Sequence, residues 1–333
     1  MIRYIIRRLL GALLVVWIVS FVTFLIFQIG PKLTHGNPAL LYVGKISTPE
    51  AVKAIEHKFG LDQPWYTQYY TYMKGTVAGR DLTDGSSTYH CSAPCLGYSF
   101  RYNDSVTHLI ANRLPVTLSL AIGASLLWLV MGVSIGVLSA LRKGSIFDRA
   151  AMVFALAGVS LPVYFIGSVF LLVFSYKLGW FPNVHYVAAT DDPVGWFKNL
   201  ILPWVSLALI SAAAYARLMR ANMLETMSED YIRTARAKGL PRRKIVAKHG
   251  LRAALTPIVT IFGIDLGTLL GGAILTETTF SFPGIGYLSV QAIRQQDLPI
   301  IMGITILASL FIVFANVIVD ILYAFVDPRV SYK

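Results

Sequence analysis

The chain has 333 residues, of which 56% are hydrophobic and only 14% are charged. Soluble domains carry about 25% charged residues, so this composition excludes an ordinary soluble enzyme, a disordered tail and a coiled coil, and it indicates a lipid-facing protein. The formal net charge of +12 would suggest a nucleic-acid partner in a soluble protein, but in a membrane protein it first raises the question of which side the basic residues occupy.

Six stretches are long and apolar enough to cross a bilayer as helices, which takes about 20 residues. Backbone groups in lipid must be hydrogen-bonded internally, and the alternating pattern of a membrane β-barrel is absent, so the sequence predicts an all-α integral membrane fold with six transmembrane helices. The predicted spans are residues 9–31, 114–141, 150–176, 199–216, 253–276 and 298–326.

The first span follows Arg3, Arg7 and Arg8, a basic cluster of the kind that begins a signal peptide. Its apolar run is longer than usual for a signal peptide and ends without a small-residue cleavage site. We therefore interpret residues 1–31 as an uncleaved N-terminal anchor helix, with a cleaved signal peptide as the alternative.

The basic residues predict the orientation. If the N-terminus is cytoplasmic, 18 basic residues lie on inner segments, whereas the short outer loops hold only Lys177, Lys198 and Arg294. The long first loop counts for little, because long segments cross largely regardless of charge. We expect both termini and residues 217–252 inside, and no nucleic-acid partner.

Residues 32–113 form the predicted large extracytoplasmic loop. Residues 47–60 show helix start signals and apolar residues at a spacing of four. Residues 63–74 are rich in Trp and Tyr, which favours a helix in the membrane interface or a cap packed over the spans, with substrate binding as a third possibility.

Cys91 and Cys95 are the two cysteines of the chain, and both fall in this outer loop. Thiols outside a cytoplasmic membrane are oxidised, so a local disulfide is the leading interpretation. Free thiols are one alternative. A metal site with His90 is another, although two thiols and one histidine make a small ligand set.

The inner segment 225–240 is predicted to be one helix that ends at Pro241. Ala235 and Gly239 are four residues apart and Tyr231 extends the same stripe, so we expect a small, nearly bare face. Such a face suits close docking of a cytoplasmic partner. A solvated basic loop near lipid headgroups explains the same residues.

Two acidic residues, Asp265 and Asp320, lie inside predicted spans. Charges in spans usually face a bundle interior or a water-filled path. Asp265 lies among glycines and is either a pathway-lining carboxylate or a carboxylate bonded to a neighbouring helix. For Asp320, near the inner end of the last span, we favour a structural role.

Several motifs resemble those of ATP-binding-cassette importer permeases of the dipeptide, oligopeptide and nickel subfamily. Residues 230–240 resemble the family's E-A-A loop, with Arg233-Thr234-Ala235 at the E-A-A positions and Gly239 at its glycine. The other matching segments, in the family's order and spacing, are Asn112–Leu118, Ala254–Pro257, Gly271–Gly286 and Asp320–Arg329. The chain departs from the family pattern in an insertion, residues 84–97, and in Asp265, where a neutral residue is expected.

The resemblance implies a permease subunit of a bacterial cytoplasmic-membrane importer, with residues 114–326 as the permease core and 327–333 as a C-terminal tail. It implies as partners a second, homologous permease, two cytoplasmic ATP-binding subunits, an extracytoplasmic substrate-binding protein and a peptide substrate. It makes the 225–240 helix the coupling helix in an ATPase groove. The residues it assigns to coupling are Tyr231, Arg233, Thr234, Ala235, Ala237, Lys238 and Gly239.

The chain lacks the motifs of an enzyme. It has no phosphate loop, so we expect ATP and Mg²⁺ to be bound by partner subunits and no cofactor in this chain. It also has no H-E-x-x-H or G-x-S-x-G motif, and we predict neither a catalytic residue nor a metal ligand. Nickel or another small solute is the alternative cargo. A secondary transporter is the rival class, but it predicts inverted repeats that the sequence does not show.

Overall fold

The computed structural model describes residues 2–33, 48–58, 62–84, 87–99 and 101–326. The predicted tail, 327–333, lies outside these residues, as do Ser47, Phe59 and Gly60 of the predicted outer helix. The helices are α1 (Ile2–Leu33), α2 (Pro49–Lys58), α3 (Trp65–Ala78), α4 (Val106–Leu141), α5 (Ile146–Ser160), α6 (Val163–Lys177), α7 (Pro193–Ser228), α8 (Asp230–Ala237), α9 (Arg242–Leu270), α10 (Ile274–Thr279), α11 (Ile285–Gln295) and α12 (Leu298–Val326).

Four of the described helices, α4, α7, α9 and α12, are each long and apolar enough to cross a membrane. The pair α5 and α6 passes the same test together, and α1 contains a shorter apolar segment, Leu13–Ile26. The sequence therefore located the apolar helices, whereas a count of six spans stays a prediction.

The third predicted span, residues 150–176, is not one helix. Its two halves, α5 and α6, meet at an angle of 101°. Pro162 explains the break, because proline disfavours a helical conformation in the preceding residue and cannot donate a backbone hydrogen bond. Leu161 is accordingly extended, with φ −98° and ψ 132°.

The fourth and fifth spans also differ from the prediction at their ends. Helix α7 is longer than the predicted residues 199–216 and continues to Ser228. The span predicted over 253–276 ends at Leu270, and a separate short helix, α10, follows. Charge-free length marks the hydrocarbon-crossing part of a helix, but a helix also continues through charged residues.

The chain packs as two compact units, one of residues 1–115 and 284–313 and the other of residues 116–283 and 314–333. In the first unit, the start of α4 packs against α11 and the start of α12 around Val106, Ile285, Leu288 and Ile300. The Ser99 hydroxyl donates to the carboxylate of Asp297. Burial raises the pKa of Asp297 above its ordinary value.

The insertion predicted at residues 84–97 belongs to a small disulfide-linked structure in the first unit. Strands β1 (Arg80–Asp84) and β2 (Ser87–Cys91) pair antiparallel with Arg80 opposite Cys91. A disulfide joins Cys91 to Cys95, and both cysteines are buried. Strands β3 (Tyr98–Ser99) and β4 (Asp104–Ser105) form a second antiparallel pair that leads into α4.

The core of the second unit is a close contact between α4 and α7. Trp128, Tyr215, Met219 and Met223 are buried there. Gly132 lies so close to α7 that a Cβ atom on it would be 2.5 Å from the Tyr215 Cβ. Small residues that admit a neighbouring backbone are the usual basis of helix packing in membranes.

Candidate functional site

The segment predicted to couple to a partner begins at the end of α7. Helix α7 ends at Ser228, Glu229 is extended with φ −64° and ψ 148°, and α8 starts at Asp230. The predicted single helix over 225–240 is therefore wrong. The Ser228 hydroxyl donates to the Glu225 carbonyl at 2.6 Å, and serine side chains that bond the local backbone in this way compete with helix continuation.

The inner face of α8 is apolar and anchored to its own subunit. Ile232 and Ala235, which are three residues apart, are both buried and pack with Ile245. Met227 and Leu240 complete this small core. Ala235 was predicted to belong to an exposed docking stripe, and that prediction is wrong, because its side chain faces its own chain.

The outer face of α8 contains Asp230, Arg233, Thr234 and Ala237, and all four residues are exposed. Their spacing of i, i+3, i+4 and i+7 places them on one side of a helix, opposite Ile232 and Ala235. Arg233 reaches Asp230 at 3.4 Å, but both side chains are largely exposed, and such a surface pair contributes little to stability. We use "outer face" for these four residues, meaning the side of α8 that is turned away from Ile232 and Ala235.

Tyr231 and Lys238 lie beside the outer face. Tyr231 lies on the flank of the helix and is 45% exposed. Burial, followed by the nearby Glu229 carboxylate, raises the pKa of the Tyr231 phenol. Lys238 is exposed and caps the C-terminal end of α8.

Gly239 does not share a helix face with Ala235, contrary to the prediction. It follows the end of α8 in the left-handed conformation, with φ +75°. The Gly239 N–H donates to the Arg236 carbonyl at 2.9 Å, and the Leu240 N–H donates to the Ala235 carbonyl at 3.3 Å. These two bonds are the Schellman helix ending, which favours glycine at this position. A glycine followed by Leu240 and Pro241 was the sequence signal for it.

Asp265 lies on α9 and accepts a hydrogen bond from the Tyr215 hydroxyl on α7 at 2.8 Å. Tyr215 is buried, and its ring lies 6.2 Å from that of Trp128. This geometry matches a carboxylate bonded to a neighbouring helix, which is one of the two interpretations of the sequence. The pathway role stays a proposal.

A buried ion pair joins α5 to α7, and the sequence reasoning did not find it. Arg220 binds both carboxylate oxygens of Asp148, at 2.6 Å and 2.8 Å. The Ser139 hydroxyl and the Gly144 N–H donate to the same carboxylate. Ser145 followed three residues later by Asp148 is a helix-start pattern, and Arg220 was an unpaired charge near the end of a span. Their pairing could not be deduced without the fold.

Two of the sequence motifs meet through one hydrogen bond. Glu277, in the motif 271–286, is completely buried. Its carboxylate accepts from the Thr117 hydroxyl at 2.8 Å, and Thr117 belongs to the motif 112–118. The Ala273 N–H donates to the same oxygen at 3.2 Å. The described residues contain no cluster of three or more His, Cys, Asp or Glu side chains that could hold a metal ion.

Two family models match the chain over most of its length. The model described as "binding-protein-dependent transport system inner membrane component" matches residues 132–332, and the corresponding N-terminal model matches residues 1–121. The chain is 39% identical over 328 residues to a peptide transport system permease protein of Brucella abortus, and the match covers 98% of both chains.

Two further relatives match over their full length. The chain is 37% identical to the dipeptide transport system permease protein of Alkalihalophilus pseudofirmus and 36% identical to the glutathione transport system permease protein of Escherichia coli, with 100% of each chain covered. Among solved structures, a chain of the MetNI methionine ABC transporter in an inward-facing conformation matches with a TM-score of 0.50 and 19% identity, over 66% of this chain and 97% of that one. The structural likeness shows a shared permease fold.

The chain therefore belongs to the family of inner membrane components of binding-protein-dependent transport systems. It is a multi-pass protein of the cytoplasmic membrane that works with ATP-binding and substrate-binding partners. The resemblance drawn from the motifs is confirmed.

Proposed function

We propose that this member of the family is the translocating subunit of an importer that carries di- or oligopeptides across the cytoplasmic membrane. The substrate class rests on the names of the relatives, which are peptide, dipeptide and glutathione permeases. The relatives differ in the peptide they are named for, so identities of this size do not define the length or side chains of the peptide.

The observation that carries the mechanism is the structure of α8. Its buried side, Ile232 and Ala235, ties the helix to the start of α9 through Ile245 and to the end of α7 through Met227, while its outer face presents side chains without apolar cover. A short helix held rigidly on one side and free on the other can pass a displacement of a partner to α7. We propose that the outer face, with Tyr231, Lys238 and Gly239 beside it, sits in the groove of a cytoplasmic ATPase.

The proposed complex contains this chain, a second and homologous permease, two ATP-binding subunits and an extracytoplasmic binding protein. In it the chain crosses the membrane six times, with both termini in the cytoplasm and residues 32–113 outside. The chain carries out no chemistry of its own. ATP and Mg²⁺ are held by the ATP-binding subunits, because this sequence contains no phosphate loop.

Reconstitution of the complete complex in proteoliposomes tests the proposal. With binding protein outside, we expect uptake of labelled di- or oligopeptides that requires internal ATP and is abolished when the phosphate-loop lysine of the ATPase is replaced. Uptake driven by an ion gradient without ATP would contradict ATP coupling. Uptake of Ni²⁺ without any peptide uptake would contradict the substrate class.

A further inference from the structure

The aromatic helix α3 packs against the middle of α1. The Ser20 Oγ lies 3.0 Å from the Tyr69 Oη, and the Ser20 hydroxyl also donates to the Met73 sulfur at 3.3 Å. The ring of Phe21 lies 5.2 Å from Tyr69 and 6.0 Å from Trp65. The side of α3 that carries these residues is thus occupied by α1.

In the proposed topology, in which α1 crosses the membrane, the position of this contact along α1 places it in the hydrocarbon. Arg8 and Lys32 bracket a charge-free run of 23 residues, which is about 34 Å of helix and comparable to the 30 Å core of a bilayer. Ser20 is the twelfth residue of that run. The contact with α3 therefore lies roughly 18 Å from Lys32, well below the membrane surface.

Sliding α1 outward would not bring the contact to the surface at low cost. Such a shift moves Arg8, Arg7 and then Arg3 into the hydrocarbon, where charged side chains are strongly disfavoured. An extracytoplasmic protein cannot reach a helix held at this depth. The depth of the contact therefore favours phospholipid, and not a soluble protein, as the group that contacts the exposed side of α3.

The composition of α3 agrees with this depth. Among its 14 residues it has one charged side chain, Lys74. On the side away from α1, Tyr66 and Tyr70 are 61% and 66% exposed. The tyrosine ring offers a large apolar surface that can pack against acyl chains.

Several backbone groups at the ends of α3 are hydrogen-bonded, which favours placement of the helix within a leaflet. The Thr67 and Gln68 N–H groups both donate to the Pro64 carbonyl, at 3.0 Å and 3.2 Å. Pro64, which precedes the helix, has no N–H to satisfy. The side-chain amide of Gln68 donates from Nε2 to the Gln63 backbone carbonyl at 2.7 Å, and the Gly79 N–H donates to the Gly75 carbonyl at 2.9 Å.

We propose that α3 is embedded in the leaflet on the Lys32 side of α1, the outer leaflet in the topology given above, with Tyr66 and Tyr70 against phospholipid. The helix is then a membrane-inserted part of the predicted outer loop. It holds α1 through the Ser20 and Phe21 contacts and dips below the headgroups.

Photolabelling of the unmodified complex tests the placement. The complex is placed in nanodiscs that contain a phospholipid with a photoreactive diazirine in its acyl chain, then illuminated, digested and analysed by mass spectrometry. We expect peptides of Trp65–Ala78 to be labelled as strongly as those of the apolar helices, and several-fold more than the hairpin Arg80–Cys91. Labelling of α3 no stronger than that of the hairpin overturns the proposal.

A second experiment identifies what touches the exposed side. Tyr70→p-benzoylphenylalanine keeps an aromatic ring at the site. His90→p-benzoylphenylalanine is the matched control, because the His90 side chain is 74% exposed. We expect phospholipid adducts from the position of Tyr70 and none from that of His90. A cross-link from position 70 to a polypeptide of the complex would show that protein, not lipid, covers this side of α3.

Discussion

The carboxylate of Asp148 is buried, and Arg220 neutralises it with two hydrogen bonds. Asp148→Ala would leave Arg220, whose side chain is 24% exposed, without its anion. Removing one partner of a buried ion pair costs about 3–5 kcal/mol. We expect a lower melting temperature in detergent and a lower yield of assembled complex for Asp148→Ala.

Arg217→Met is the matched control for this pair. Arg217 lies one turn before Arg220 on α7 and is exposed. Because its charge is not buried, its loss should leave the melting temperature nearly unchanged. Equal effects of Asp148→Ala and Arg217→Met would contradict the structural role of the Asp148 network.

Gly239 is predicted to be sensitive to backbone conformation and not to crowding. A Cβ on Gly239 would meet no atom within 4 Å, but its φ of +75° is unfavourable for other residues. The left-handed conformation costs non-glycine residues about 1–2 kcal/mol, and asparagine tolerates it best. Gly239→Asn should therefore retain the ATPase on co-purification, whereas Gly239→Val should lose more of it. Similar losses for both variants would point to a steric role instead.

The hydrogen bond from Tyr215 to Asp265 is expected to make a small contribution to helix packing. Side-chain hydrogen bonds between membrane helices average about 0.6 kcal/mol. Tyr215→Phe and Asp265→Leu should each lower the melting temperature slightly. The decrease in the double variant should be smaller than the sum of the two single decreases. Additive effects would show that the two groups do not interact in the assembled complex.

Asp265→Asn separates packing from transport, because asparagine can still accept the Tyr215 hydrogen bond. We expect normal assembly for this variant. Peptide uptake per assembled complex then reports on the charge alone. A wild-type rate would remove the carboxylate from the list of pathway residues, and a reduced rate at normal assembly would place it there.

At the level of elements, the sequence was informative about α8 and wrong about its orientation. The motif predicted residues 230–240 as the coupling segment, with a helix that ends at Pro241. Helix α8 ends earlier, at Ala237, and Pro241 instead precedes the first turn of α9. Ala235 and Gly239 were predicted to share one helix face because a continuous helix was assumed. Glu229 interrupts that helix and Gly239 lies beyond its end, so the helix face that is actually exposed carries Asp230, Arg233, Thr234 and Ala237.

Ala237→Trp tests the outer face of α8. The substitution adds a large side chain on the exposed side of the helix without disturbing Ile232 or Ala235. Overpacking at an interface costs about 1–3 kcal/mol, which weakens binding roughly five- to 150-fold. We expect normal membrane insertion, reduced co-purification of the ATPase and reduced peptide-stimulated ATP turnover.

Ala189→Trp provides the comparison for this variant. Ala189 is also an exposed alanine, but it lies between α6 and α7, on the side that we propose to be extracytoplasmic. The Ala189→Trp variant should bind the ATPase as the wild type does. Undiminished docking and turnover in Ala237→Trp would mean that another surface contacts the ATPase.

At the scale of the whole molecule, local properties were predictable and long-range pairs were not. Charge-free runs located the apolar helices because hydrocarbon excludes charge. The bond between Thr117 and Glu277 joins residues 160 apart in sequence, and nothing in either motif names the other as partner. The same holds for Asp148 and Arg220, whose contact depends on how α5 and α7 pack.

The bent pair α5 and α6 decides the topology of everything that follows it. If the pair crosses the membrane, residues 178–192 lie outside and the basic segment 229–252 lies inside, as the excess of basic residues predicts. If the pair returns to the side it came from, every later segment changes sides, and α8 cannot meet a cytoplasmic ATPase. Reporter fusions after Lys143, Asp191 and Lys248 distinguish the two arrangements. We expect the fusions after Lys143 and Lys248 to be cytoplasmic and the one after Asp191 to be extracytoplasmic. A fusion after Asp191 that reports the same side as Lys143 would contradict the six-span topology and, with it, the docking of α8.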